Sequence, residues 1–221
     1  MIPIPDQSGS DPLRRESLLR RIGVTEQELT MALDAGDAAA AGCTSNHPPM
    51  APGFYRFAET IAALAAVKGP QGWTRQDHKN FSTIVSPDGR VAIAVASGND
   101  GTGDLGVEVS TRSPKGVVTS EAVTRNLSLP YDDRDIAANQ RILSASPVVI
   151  TVETWFLLHD RRDGTRFAEL SRPNSINSVG YVDEWKPRIP LGPQQMIPFP
   201  GSDGAGGDPP VNPDVPVTRR G

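Results

Sequence analysis

Three carboxylates and one imidazole stand where acid–base chemistry could be assembled. Asp77 and His78 are adjacent and follow Trp73, while Glu153 and Glu169 each interrupt an apolar run. A carboxyl group buried in an apolar strand has its pKa raised and can act as a general acid or base at neutral pH. Glu153 sits between Val152 and Thr154, and a two-residue hairpin at Asp163-Gly164 would turn Glu153 and Glu169 to opposite sheet faces. A second His–Asp pair, His159-Asp160, falls near that hairpin. None of these groups has a nucleophile in a recognisable frame: the chain has no G-x-S-x-G, and Cys43 lacks a catalytic context. These residues define a hydrolase or nuclease as one alternative reading.

Cations suggest two binding chemistries. Arg112 and Lys115 lie among hydroxyls in Ser110–Gly116, ahead of a predicted helix, a composition that suits an anion or an acidic partner. Arg14, Arg15, Arg20 and Arg21 cluster on the first of two predicted helices, which are joined by a Gly turn as in a helix-turn-helix. A second helix carrying Glu26, Glu28, Asp34 and Asp37, with no Lys or Arg over 26–37, would bring carboxylates to DNA phosphates. Binding DNA through the basic first helix is therefore the second alternative.

Two further patterns fail on chemistry. Gly101-Thr102-Gly103-Asp104-Leu105-Gly106 matches G-x-G-x-x-G, but Val107-Glu108-Val109 alternates where a phosphate-binding helix must open. Cys43 and His47 have a zinc-like spacing without a second ligand pair. No metal or cofactor is expected.

The elements that would position these groups can be placed from period and punctuation. Pro12 opens a helix that ends at Gly23. Thr25 and Glu28 form a capping-box pattern that starts a second helix, which runs through the alanines at 38–41. A third helix takes Phe54, Phe57, Ala58, Ile61, Leu64 and Ala65 at helical spacing and stops at Lys68-Gly69-Pro70. From Asn80 the period becomes two. Strands are predicted over 81–85 and 90–97, joined by Ser86-Pro87-Asp88-Gly89, and over 148–158 and 166–171, in a register that sets Leu158 against Glu169 and Trp155 against Arg172. Short helices are expected near 117–126 and 133–143, with a short strand at 185–191.

The resulting expectation is an α+β fold: an antiparallel sheet of four to five strands with N-terminal helices packed on one face. Residues 1–9 form a flexible N-terminus, 10–50 a helical hairpin appendage, and 51–191 a core with a mobile loop at 98–116. Residues 192–221, with seven prolines and six glycines, form a disordered tail. Over 221 residues the net charge is -4, which argues against a nucleic-acid coat, and one cysteine allows no intramolecular disulfide. The chain has no apolar run long enough to span a membrane and no signal-like leader, so the expected location is cytoplasmic. The leading functional expectation is a soluble, non-enzymatic binding or regulatory protein that meets an unidentified protein partner through loop 98–116 and the tail.

Overall fold

A computed structural model describes residues 12–127 and 152–196. Three helices come first: α1 (Pro12–Ile22), α2 (Glu26–Ala41) and α3 (Ala51–Lys68), the last followed by a 3₁₀ turn, Gly69–Gln71. Strands β1 (Thr74–His78), β2 (Phe81–Val85) and β3 (Val91–Ser97) follow. Then come α4 (Val117–Leu127), β4 (Glu153–Arg162), β5 (Thr165–Ile176) and β6 (Val182–Gln195). The expected helix at 133–143, the strand start at 148–151, the first nine residues and the tail beyond Met196 lie outside the described residues. None of the described helices is long and apolar enough to cross a membrane.

The α+β class holds, but the sheet is larger and its pairing is mixed. Six strands lie in the order β1-β2-β3-β4-β5-β6, and the central pair, β3–β4, is parallel, with Val91 opposite Glu153 and Ser97 opposite His159. Parallel neighbours need a long crossover, and here the chain from 98 to 152, including α4, supplies it. No local periodicity reports on such a pairing. The expected antiparallel hairpins are present at β2–β3 and β4–β5, the latter with Leu158 opposite Glu169. That ladder begins at Phe156 opposite Ser171, and the Arg172 guanidinium is engaged by Glu153, Asn174 and the Asn126 carbonyl. β6 is also longer than expected and carries 192–195 as strand, residues assigned above to the tail.

The alternation of β3 and β4 divides the core in two. Ile93, Val95, Trp155 and Leu157 face the N-terminal helices, joining Leu19, Leu29, Leu33, Ile61 and Leu64. The hairpin α1–α2 thus contributes Leu18, Leu19, Ile22, Leu29 and Leu33 to this core. Ala94, Ala96, Phe156 and Leu158 face the other way, with Val109 of the long loop, Val123 of α4 and Trp185 of β6.

Polar groups set the helical layer as firmly as apolar ones. Thr25 accepts from the Glu28 amide while the Glu28 carboxylate accepts from the Thr25 amide, which satisfies two donors at the start of α2 and is worth about 1 kcal/mol. The same carboxylate takes the fully buried Lys68 ammonium at 3.2 Å, and Lys68 also donates to Gln71 and to the Gly23 carbonyl. Burial alone would raise the Glu28 carboxyl, but hydrogen bonds from Gln71, Thr25 and Lys68 outweigh it and hold the group below its usual range. Arg56, also buried, pairs with Asp37 at 2.9 Å. The inward face of α3 therefore includes Arg56, Thr60 and Lys68, while Phe54, expected inside, is exposed. Gly36 lets α2 and α3 cross closely, since a Cβ there would lie 2.1 Å from the Thr60 hydroxyl.

Candidate binding site: a clasped loop on the sheet

Residues 98–116 contain no helix and no strand, yet two arginines of the sheet, Arg188 and Arg162, and one of the loop itself, Arg112, hold them. Arg188, on β6, donates to the carbonyls of Gly101 (2.9 Å), Asp104 (3.0 Å) and Val107 (2.8 Å). Its guanidinium also meets the Glu169 carboxylate of β5 through two nitrogens, at 3.0 and 2.7 Å. Glu169 is fully buried, and its remaining acceptor capacity is taken by the Gly103 amide at 2.8 Å and the Ser171 hydroxyl at 2.7 Å. A buried carboxylate needs this full set of donors, because an unpaired charge there would cost several kcal/mol.

The loop is tied at two more points. Arg162 stacks on the Phe167 ring, 3.8 Å from its centroid, and donates to the carbonyls of Asp100 and Thr102. Arg112 pairs with the buried Asp160, which Arg162 also contacts at 3.2 Å. Burial raises the Asp160 carboxyl despite these two cations. Within the loop the Asn99 side chain accepts from the amides of Gly101 and Ser110, closing it on itself. Val109 and Thr111 fasten its return to Trp185 and Val182. At the tip, between 100 and 108, the exposed side chains are those of Asp100, Asp104, Val107 and Glu108: three acids and one apolar group.

The carboxylates and imidazole considered for catalysis are spread across the sheet. Asp77 and His78 lie on β1, and Glu169 lies four strand spacings away on β5, about 19 Å at ~4.8 Å per strand. Asp77 accepts from the Ser82 hydroxyl at 2.6 Å and pairs with Arg75 at 2.8 Å; the Ser82 bond, then Arg75, lowers its pKa. Glu153 is bound by Arg172 at 2.8 Å. Asp77 and His78 line a cavity of about 420 Å³ between β1–β2 and α4, with Thr83, Glu121, Arg125 and Thr154 among its other walls.

Among the cations, Arg112 is committed to Asp160 and to the Gly98 carbonyl. Lys115 is half-buried, and burial lowers its ammonium pKa. Its backbone amide meets the Gly180 carbonyl. On α1, Arg15 pairs with Glu26 at 3.0 Å and Arg20 with Glu16 at 2.7 Å, while Arg14 and Arg21 also have partners. Among the described residues no cluster of His, Cys, Asp and Glu could hold a metal.

Reading the sequence missed Arg188 and Arg162, and singled out Glu169 for acid–base chemistry rather than as an anchor of the loop. Arg188 and Glu169 are 19 positions apart, and Arg188 reaches carbonyls more than 80 positions away, so no spacing rule joins them. Exposed acids between glycines were the available signal for the tip. Comparison with known protein families, with curated proteins and with solved structures finds no match to this chain.

Proposed function

We propose that the protein is a non-enzymatic binding or regulatory module that presents the tip of loop 98–116 to a protein partner. The observation that supports this reading is the clasp: Arg188 and Arg162 spend their donors on loop carbonyls, so the tip is held in one shape before any partner arrives. Ordering a loop in advance removes an entropic cost of association. The tip exposes Asp100, Asp104 and Glu108 around Val107, which suits a basic partner surface with an apolar centre. The carboxylates that could do acid–base chemistry, Glu153, Glu169 and Asp77, are meanwhile engaged by Arg172, by Arg188, and by Ser82 with Arg75.

The test is a triple substitution at the tip, Asp104→Ala, Val107→Ala and Glu108→Ala, in the full chain. These side chains are exposed, so melting should shift little. Affinity capture from the native cell should lose a specific protein with the triple variant and keep it with a control variant on α1, Arg20→Ala. An identical set of captured proteins would refute the reading.

A further inference from the structure

The two edges of the sheet are built differently. β6 carries Pro187, Pro190 and Pro193, residues without an amide donor, and its ladder to β5 is broken by register shifts. Its outward groups are also covered: Arg15 donates to the Pro190 carbonyl and the Gly192 amide donates to Glu26. These are the usual devices that close an edge. Among the described residues β1 has none of them. Its five residues, Thr-Arg-Gln-Asp-His, contain no proline or bulge, and all are exposed.

Hydrogen-bond parity shows which groups of β1 are outward. Lys79 and Asn80, with φ of 46° and 65°, form a two-residue turn between His78 and Phe81. In such a hairpin the flanking residues exchange both backbone bonds and every second pair repeats this. His78, Gln76 and Thr74 therefore bond towards β2, and Arg75 and Asp77 point their amides and carbonyls out from the sheet. The next ladder agrees: Ser86 donates to Val91, as this alternation requires.

We propose that β1 pairs with the β1 of a second copy of this chain, antiparallel about a twofold axis at Gln76. The sequence is self-complementary in that register alone. Gln76 lies opposite Gln76, and each Arg75 lies opposite an Asp77 of the other copy. Thr74 lies opposite His78. The outward groups fall on the hydrogen-bonding pairs, giving four interstrand backbone bonds, and both opposite-charge pairs share a face. The Arg75–Asp77 ion pair within one copy is exposed, with 55% and 46% of each side chain accessible, so exchanging it for the cross-copy pairs costs little. α3 packs over β1–β3. Its flank opposite Thr60, which meets α2, carries Ala58 and Ala62, small enough for two α3 helices to approach above the joined strands.

Charge reversal tests the pairing in the full chain by sedimentation velocity. Wild type should be a dimer at high micromolar concentration. Arg75→Asp places Asp against Asp twice, and Asp77→Arg places Arg against Arg twice, so each alone should weaken association roughly tenfold or more. Mixing the two variants restores both opposite pairs and should recover a dimer, as should the double variant R75D/D77R. An intramolecular role for the ion pair could not produce recovery on mixing, because each partner remains broken. A wild type that stays monomeric at about 100 µM, a concentration between the micromolar and millimolar marks of the affinity scale, or a dimer that both single reversals leave intact, overturns the proposal. So does failure of the mixture to re-form it.

Discussion

Loop 98–116 and strand β1 invert the usual relation between regular structure and satisfied backbone. The loop has no repeating geometry, but Arg188, Arg162, Glu169 and Asn99 take up its carbonyls and amides one by one. β1 is a regular strand, but the amides and carbonyls of Arg75 and Asp77 face away from the sheet. Irregularity therefore does not imply mobility, and regularity does not imply closure. What decides each case is whether side chains from elsewhere reach the backbone.

The largest expected effect strikes the clasp. Arg188→Met leaves the fully buried Glu169 without its cation and should destabilise the protein by about 4 kcal/mol in denaturant titration. If the loss is below about 1 kcal/mol, Glu169 is not held as described and the loop loses its status as the better-satisfied region. Gly101→Ala is next. A Cβ there would lie 2.1 Å from the Glu108 carbonyl oxygen, a backbone atom that cannot turn away, and the expected cost is about 2 kcal/mol. At β1 the effect on folding should be smallest. Arg75→Asp should change stability by less than about 0.5 kcal/mol when measured at low micromolar concentration, because the pair it breaks is exposed.

Much of the fold was readable from local pattern. Pro12, Gly23 and the Thr25/Glu28 box bound the first two helices, and Asp163-Gly164 set the register of β4 on β5. β1 escaped because Thr-Arg-Gln-Asp-His has no apolar alternation: both of its faces are wet, so burial left no mark on the sequence. The parallel β3–β4 pairing escaped because more than fifty residues separate its strands. In α3 the apolar spacing was right for Ile61 and Leu64 but concealed Arg56 and Lys68, which are buried because Asp37 and Glu28 come from another helix to meet them. The same reason hid the site. Arg112 and Lys115 stood out as local cations, whereas the clasp depends on Arg188, and its partners become neighbours only after the sheet forms.

Amide hydrogen exchange compares the two regions most directly, using the Arg75→Asp variant so that β1 is kept unpaired. Slow exchange is expected at Gly103, Ser110 and Thr111, whose amides are bonded to Glu169, Asn99 and Val182. Fast exchange is expected at positions 75 and 77, despite their place in a strand. Loop amides exchanging at unprotected rates, with those of β1 protected, would show that side chains from elsewhere do not hold the loop's backbone.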